Sequence, residues 1–316
     1  MKTDRRIVIR AVAGAVACLS LCAASVFAQA PQGPGPGAGH GAGQGPGRGP
    51  GPGGGAFNAD PRAETRTYHM DDANTDVQYC VYKSSKVSKN KPAPLIISLH
   101  GLGAGPGIMC NKTAVDLAEE GGYILAAPMG YSVSGWYGSP VMNFGGGRGR
   151  GPGAGPGAGA AAAAAPAGPS PADIAKWSEE DVMNVLGFMR KEFNVDPQRI
   201  YLTGHSMGGA GTWFLGSKHA DIWAAIAPVA PASFLMDGMR ADVLKGIKNA
   251  GVPVLVVQGD TDEAVPVAHT RTWVDNMKEL GVDYKYVELP GITHGPVITE
   301  SQKYVYAFFA EHSKKQ

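Results

Sequence analysis

The chain has 316 residues, and its 28 lysines and arginines nearly balance its 27 aspartates and glutamates, so that its net charge is +1 at neutral pH. This balance gives no electrostatic reason to expect a nucleic-acid partner. Most of the excess among the 46 glycines and 24 prolines lies in two blocks, and the remaining sequence is long enough for one large α/β domain or two small ones.

The amino terminus has the layout of a secretory signal. Basic residues precede an apolar run over residues 11–27, and small residues end at Ala28. Cleavage after Ala28 is favoured, because cleavage after Ala30 would put Pro31 directly behind the cut. We therefore expect residues 1–28 to be a signal peptide and the mature protein to be secreted or periplasmic.

Two other routes of export remain open. Arg5 and Arg6 permit twin-arginine export, and Cys22 could carry a lipid, although Leu21 stands where a lipoprotein site has a small residue. The apolar run is short and a cleavage site follows it, so we expect no membrane span after processing. Removal of residues 1–28 leaves 24 basic and 26 acidic residues.

Two segments have too few apolar side chains to offset the entropy of ordering them. Residues 29–57 are mostly glycine, proline and alanine, and we expect a disordered tether there. Residues 145–171 have the same character, and we expect a disordered insertion in a surface loop, which loop-closure entropy tolerates. We expect one folded domain over residues 58–316, which contains the insertion.

The first half of the domain begins an alternation of strands and helices. Alternating segments at residues 65–69 and 77–82 predict an antiparallel pair of strands. The continuous apolar run at residues 93–99 predicts a central parallel strand that is covered on both faces. Residues 111–120 then predict a helix, and residues 123–127 predict the next buried strand.

The second half continues the alternation. Ser178, with Asp181 three residues later, predicts the start of a helix through a capping box. Further strands are predicted at residues 200–203, 224–229, 253–258 and 284–289, and further helices at residues 207–218, 241–248, 267–280 and 299–311. The whole pattern predicts an α/β fold with a mostly parallel central sheet flanked by helices.

The segment Gly204-His205-Ser206-Met207-Gly208 stands between a predicted strand and a predicted helix. A serine at the apex of such a turn has strained backbone angles, and the residues two before and two after it must be very small. Gly204 and Gly208 meet that demand around Ser206. The motif also occurs by chance as a simple glycine-rich turn, so other residues must support a nucleophilic role.

A serine nucleophile needs a histidine base and a carboxylate that orients the histidine. Asp260 and Asp262 follow one late strand, and His294 follows the next, at the sheet edge where Ser206 emerges. Either carboxylate could orient His294, and Asp260, directly after the strand, could instead cap its own loop. His205 and His100 have a simpler interpretation as packing or loop-bracing residues.

An oxyanion that forms at Ser206 needs two backbone donors. The amide of Met207, directly after the nucleophile, is one candidate, and the amide of Leu102 in the loop after residues 93–99 is the other. Trp136 and Tyr137 could line a substrate pocket or could be core aromatics.

Export would leave Cys80 and Cys110 as the two remaining cysteines. An oxidising compartment favours a disulfide between them, and two buried free thiols are the alternative.

The segments LHGLG, GHSMGGAGTW, GDTDEAVP and THG resemble secreted α/β-hydrolases grouped with polyhydroxybutyrate depolymerases, feruloyl esterases and the catalytic domain of prolyl oligopeptidases. The resemblance covers about residues 75–312. It implies an α/β-hydrolase fold with Ser206 as nucleophile, Asp262 as acid and His294 as base. The insertion and the plain ITHGP segment depart from the family pattern. Substrate specificity is therefore the property that the resemblance supports least.

Together these features predict a secreted serine hydrolase that cleaves small-molecule or polymeric carboxylic esters through an acyl-enzyme, without a metal or cofactor. A prolyl-oligopeptidase-like peptidase is one alternative. A non-catalytic surface-binding protein is another, and it requires one of the three triad positions to be dispensable.

Overall fold

The computed structural model describes residues 59–140 and 168–314, together with the backbone of residues 6–8. The predicted tether, most of the predicted insertion and the rest of the predicted signal peptide lie outside these described residues.

The described strands form one sheet, which is parallel except at one side. Its order is β1-β9-β8-β7-β6-β4-β5-β3-β2, and β2 and β3 run antiparallel to their neighbours. The strands are β1 (Arg6–Val8), β2 (Glu64–Met70), β3 (Thr75–Lys83), β4 (Ala93–Leu99), β5 (Ile124–Pro128), β6 (Val195–His205), β7 (Ala225–Val229), β8 (Val254–Gly259) and β9 (Tyr284–Leu289). The prediction of a mostly parallel α/β sheet is confirmed.

Helices cover both faces of this sheet, which is why every residue of β4 is buried. Leu95 and Ile97 pack into the core on one face and Ile96 into the core on the other, because successive side chains of a strand point to opposite sides. The helices are α1 (Lys112–Gly121), α2 (Pro171–Glu192), α3 (Met207–Lys218), α4 (Arg240–Ala250), α5 (Val267–Leu280), α6 (Val297–Glu300) and α7 (Gln302–Ala310).

The two faces have different helices. Apolar residues of α2, α3, α4 and α5 belong to the core on the side of Leu95, and those of α1 and α7 belong to the core on the side of Ile96. Among the described helices, none combines the length and the apolar character that crossing a membrane requires.

The predicted start of α2 at Ser178 is wrong, because the helix begins at Pro171. Ser170 is the N-cap, and its hydroxyl accepts from the amide of Asp173, whose carboxylate accepts in turn from the Ser170 amide. This is a capping box with proline at the first helical position. The helix therefore starts at the end of the segment that we assigned to the insertion.

Ser178 and Asp181 are instead buried in the middle of α2, where they hold the loop that follows β5. The Ser178 hydroxyl donates to the Gly130 carbonyl at 2.7 Å. One Asp181 carboxylate oxygen accepts from the amides of Gly130 and Tyr131. The other accepts from the hydroxyl of Tyr68 at 2.6 Å. These contacts satisfy backbone groups that burial would otherwise leave unpaired.

Cys80 on β3 and Cys110 in the short 3-10 helix Pro106–Cys110 are both free and completely buried. The expectation of a disulfide is therefore wrong for this structure, and the alternative of two buried thiols holds. Burial raises the pKa of the Cys110 thiol, and the neighbouring Cys80 adds to this rise.

We expect the free energy of unfolding to depend on pH through the titration of Asp181. Burial raises the pKa of Asp181 to about 6, against the hydrogen bonds from Tyr68, Tyr131 and Gly130. The folded protein thus keeps a proton that the unfolded chain releases near pH 4. The raised pKa of Asp181 therefore contributes about 3 kcal/mol to the free energy of unfolding below about pH 4. This contribution is lost as the pH rises through about 6.

Urea unfolding of the wild type and Asp181→Asn between about pH 4 and pH 7 measures this contribution. Other titrating groups act in both proteins, so the difference between the two curves isolates Asp181. A difference in the free energy of unfolding that does not change with pH would contradict the prediction.

Candidate active site

Ser206 lies at a sharp turn between the end of β6 and the start of α3. Its backbone angles, φ 58° and ψ −114°, lie in a region that residues with side chains rarely adopt. The Ser206 amide donates to the Val229 carbonyl at 3.0 Å, and its carbonyl accepts from the amides of Ala210 and Ala232. The strained turn is thus held by backbone hydrogen bonds on both sides.

The turn exists because the two glycines around Ser206 let the backbones approach closely. A Cβ on Gly204 would lie 2.3 Å from the Gly208 carbonyl oxygen, and a Cβ on Gly208 would lie 2.1 Å from the Leu99 carbonyl oxygen. Both distances are far below van der Waals contact. The start of α3 therefore packs directly on the end of β4.

Asp262 is in the loop after β8, and its side chain is almost completely buried. One carboxylate oxygen accepts from the amides of Ala264 and Val265, and the other accepts from the side-chain amide of Gln258. Burial by itself raises the pKa of Asp262, but the hydrogen bonds from His294, Val265 and Gln258 outweigh it and the pKa is lowered. The carboxylate is therefore ionised.

Gln258, the penultimate residue of β8, is the partner that the sequence reasoning missed. It is completely buried, and its oxygen accepts from the hydroxyl of Thr270 at 2.8 Å. That contact orients its amide nitrogen toward Asp262 at 3.0 Å and toward the Val265 carbonyl at 3.1 Å. A glutamine ending an otherwise apolar strand is the signal that could have indicated this role.

His294 is in the loop after β9, and its Nδ1 lies 2.8 Å from an Asp262 carboxylate oxygen. Asp260 instead accepts from the amide of Gly291 at 2.6 Å and so caps the turn that leads to His294. The structure thus brings Asp262 and His294 together and gives Asp260 a role within its loop.

Ser206 and His294 both line one open cleft of about 440 Å³. The other lining residues are small or apolar apart from one histidine: Gly101, Leu102, Gly103, Ala104, Ile108, His205, Gly295 and Ile298. Among the described residues the structure has no hydrogen bond between Ser206 Oγ and His294. Such contacts are often long in enzymes without substrate and shorten when substrate binds.

His205 braces the loop that carries His294. Its Nε2 lies 2.9 Å from the His294 carbonyl oxygen, and the two rings are 4.5 Å apart. Burial, with a smaller contribution from His294, lowers the pKa of His205 to about 3. The neutral ring therefore donates its proton from Nε2 to that carbonyl, which fits the predicted bracing role.

The candidate oxyanion donors lie on both sides of Ser206. Met207 is the first residue of α3, and Leu102 follows β4 and is 59% exposed. Within the described chain, neither amide donates to another backbone carbonyl in the turns and loops. Leu102 lines the cleft, whereas Met207 is buried and is not among the described residues that line it.

His100, the residue after β4, is completely buried. Its Nδ1 lies 2.9 Å from the Gly101 carbonyl oxygen and its Nε2 lies 2.8 Å from the Met129 carbonyl oxygen. Burial lowers its pKa, so the ring is neutral and can donate to one of the two carbonyls. His100 therefore braces the loop, as predicted.

Of the two alternatives for Trp136 and Tyr137, pocket wall and core aromatics, the structure favours the core. Tyr137 is completely buried, and its hydroxyl donates to the His100 carbonyl. Trp136 packs partly buried against the same core, and neither residue lines the cleft beside Ser206. The loop turns inward because Ser178 accepts from the Tyr137 amide at 2.9 Å and pulls this segment onto α2.

Comparison with known proteins agrees with this architecture. Residues 172–243 and 237–316 match the prolyl oligopeptidase family. A solved ferulic acid esterase structure superposes with a TM-score of 0.59 at 17% identity, covering 79% of this chain and 97% of that one. The chain has the α/β-hydrolase fold.

Two relatives that align with part of the chain are named for their activities. A bifunctional acetylxylan esterase/xylanase of Neocallimastix patriciarum is 25% identical over 201 residues, which are 63% of this chain and 23% of the relative. Cutinase 1 of Thermobifida cellulosilytica is 34% identical over 101 residues, which are 32% of this chain and 34% of the relative. The chain thus spans about a quarter to a third of these relatives. The predicted resemblance to α/β-hydrolase serine esterases is confirmed.

The described residues contain no group of three or more histidine, cysteine, aspartate or glutamate side chains that could hold a metal ion.

Replacement of Gly208 by alanine should be strongly destabilising. The new methyl group would collide with the Leu99 carbonyl oxygen, which belongs to a central strand and cannot move away. We expect a loss of at least about 3 kcal/mol in the free energy of unfolding, measured by urea denaturation.

Gly187 in α2 provides the matched control, because a Cβ there would meet no atom within 4 Å. Gly187→Ala should raise stability by about 1 kcal/mol, since alanine favours a helix interior. Equal effects of the two substitutions would show that the close approach at Gly208 is not a constraint.

Proposed function

We propose that this protein is a serine hydrolase that cleaves carboxylic esters, with Ser206 as nucleophile, His294 as base and Asp262 as the acid that orients it. The observation that carries the proposal is the 2.8 Å contact between Asp262 and His294 Nδ1, with His294 and Ser206 in one cleft. The cutinase and acetylxylan esterase relatives support the choice of esters.

The chemistry follows from the state of His294. Its Nδ1 proton is held by the Asp262 carboxylate, which leaves Nε2 unprotonated and able to accept the Ser206 hydroxyl proton. Ser206 Oγ then bonds to the ester carbonyl carbon. The tetrahedral intermediate collapses, and the leaving alkoxide takes the proton from His294. A water molecule, deprotonated by His294, then bonds to the acyl carbon, and the bond to Ser206 Oγ breaks as Oγ takes that proton back from His294. The carboxylic acid is released and the enzyme is regenerated.

The negative charge on the carbonyl oxygen of the intermediate needs fixed donors. We propose the amides of Met207 and Leu102 for this role. Their support is the close packing of the start of α3 on the end of β4, which sets the residues after Ser206 beside the loop that contains Leu102. Backbone donors of this kind need no reorganisation when the charge develops.

The cleft favours a neutral substrate with an apolar group. Leu102, Ile108 and Ile298 give it apolar walls, and none of its described lining residues is a carboxylate, a lysine or an arginine. A peptidase that recognises a free amino terminus would need an acidic partner for the amine. Such a partner is lacking among the described lining residues, so we propose short-chain or aryl esters, free or within a polymer.

A peptidase is the second candidate, because residues 172–243 and 237–316 match the prolyl oligopeptidase family. The same triad would then attack an amide. An amine is a poorer leaving group than an alkoxide or phenolate, so amide cleavage depends more on substrate positioning. The cleft described here offers apolar contacts for that purpose and no charged ones.

We further propose that residues 1–28 direct export and are removed after Ala28, and that the enzyme acts outside the cytoplasm. Such cleavage would also remove β1, which pairs with β9 through backbone hydrogen bonds, and would leave β9 at the edge of the sheet. The intact mass of the exported protein tests this proposal.

Ser206→Ala should remove ester hydrolysis by several orders of magnitude and leave the fold intact, because the hydroxyl supplies chemistry and little packing. The measurement is turnover of p-nitrophenyl acetate, butyrate and aryl esters by the wild type and the variant. Labelling with a fluorophosphonate should modify the wild type and not the variant.

The same preparations should be assayed on Xaa-Pro and amino-terminally blocked peptide anilides. We expect higher kcat/KM on esters than on any peptide, and a Ser206-dependent preference for peptides would favour the second candidate. Ester turnover that survives Ser206→Ala with unchanged circular dichroism would rule out Ser206 as the nucleophile in both candidates. A folded wild type that neither turns over any of these substrates nor reacts with the fluorophosphonate would favour the non-catalytic alternative.

Asp262→Asn should lower kcat by about three to four orders of magnitude, because a neutral amide cannot hold His294 in the required tautomer. Asp260→Asn is the matched control, two residues away in the same loop. An asparagine oxygen can still accept from the Gly291 amide, without the negative charge, so this variant should change kcat by less than about tenfold. A reversal of the two effects would make Asp260 the acid.

A further inference from the structure

The loop that carries the candidate oxyanion donor is tied to a second loop at three points. We use the term oxyanion loop for residues 100–104 and brace segment for residues 129–139. His100 Nε2 lies 2.8 Å from the Met129 carbonyl oxygen, and the Gly103 amide donates to the Val133 carbonyl at 2.8 Å. The Tyr137 hydroxyl donates to the His100 carbonyl at 3.2 Å.

The brace segment cannot hold its own shape. Tyr131, Trp136 and Tyr137 have φ values of 63°, 55° and 53°, which are costly for residues with side chains. Such a conformation persists where the surroundings impose it.

Helix α2 imposes it through two buried side chains. Ser178 donates to the Gly130 carbonyl and accepts from the Tyr137 amide, and Asp181 accepts from the amides of Gly130 and Tyr131. The contacts therefore run without a break from α2 through Tyr137 to the oxyanion loop.

Tyr137 also touches the other side of the candidate oxyanion site. A Cβ on Gly211 in α3 would lie 2.7 Å from its ring, so the ring packs directly on the helix whose first residue is Met207. The ring meets the His100 imidazole edge to face, with centroids 5.7 Å apart. One side chain thus contacts α3 and the residue that opens the oxyanion loop.

We propose that Tyr137 is a positioning residue that sets the Leu102 amide relative to the Met207 amide, acting through its hydroxyl and its packing on α3. The inference rests on the proposed function, because it assumes that these two amides bind the oxyanion. Tyr137 touches no substrate, and its effect passes through the His100 carbonyl.

Tyr137→Phe tests the inference, because it removes the hydroxyl and keeps the ring. Oxyanion donors act in the transition state, so kcat should fall by about tenfold or more while KM stays within about twofold. A role in stability alone would lower the melting temperature and leave kcat unchanged below it.

Tyr306→Phe is the matched control. Tyr306 is also buried, and its hydroxyl donates to the Ala114 carbonyl at 2.9 Å on the other face of the sheet. We expect this variant to lose stability and to keep the wild-type kcat. Equal kcat values for the two variants would overturn the inference.

Two further measurements cover other outcomes. Ser178→Ala takes away the acceptor of the Tyr137 amide and should therefore also lower kcat. It replaces Tyr137→Phe as the test if that variant does not fold. Hydrogen exchange of a peptide containing residues 100–104 should be faster in Tyr137→Phe than in Tyr306→Phe. The exchange test does not use activity, so unchanged exchange refutes the inference even where Ser206→Ala has already refuted the proposed function.

Discussion

The close approach of helix α3 to strand β4 is the constraint on which the site depends. Gly208 lies so near the Leu99 carbonyl that no side chain fits between them. This contact turns the chain sharply at Ser206 and exposes its side chain at the sheet edge. It also puts the first amide of α3 beside the loop after β4, so one backbone contact positions Ser206 and both candidate oxyanion donors.

The remaining site residues reach this edge because their strands run parallel to β6. β8 and β9 end on the same side as β6, and their following loops contain Asp262 and His294. The sheet topology places Asp262 and His294 near each other, and contacts with other side chains then orient them. Gln258 orients Asp262 from within the end of β8, and His205 holds the His294 carbonyl from beside the nucleophile.

The sequence was sufficient for features that depend on local pattern. Buried runs of apolar residues predicted the central strands, and the positions of Asp262 and His294 after late strands followed from them. The start of α2 was predicted wrongly, although the Ser170 and Asp173 pair has the same spacing as the pair at Ser178, because Ser170 borders the glycine-rich block. The buried position of Tyr137 depends on contacts with residues about forty positions away, which the local sequence pattern does not show.

The role of Asp181 likewise depends on contacts that the local sequence pattern does not show. In the sequence it looks like an acidic residue that favours a helix start, and in the structure it is a buried group that binds two loop amides. Its position in the middle of α2 became evident once the true helix start was known. Its partners on the loop after β5 are about fifty residues earlier in the chain.

Asp181 and Asp262 are both buried carboxylates whose pKa values shift in opposite directions. Asp262 accepts from two backbone amides and lies against the side chains of Gln258 and His294, whereas Asp181 accepts from two backbone amides and one side chain, the hydroxyl of Tyr68. The imidazole of His294 can carry a positive charge, and the hydroxyl of Tyr68 cannot. Burial therefore prevails at Asp181 and raises its pKa, whereas hydrogen bonding prevails at Asp262 and lowers its pKa. The lowered pKa thus favours a charged Asp262 carboxylate beside His294. Of these two carboxylates, Asp181 has the raised pKa, and it holds the brace segment rather than His294.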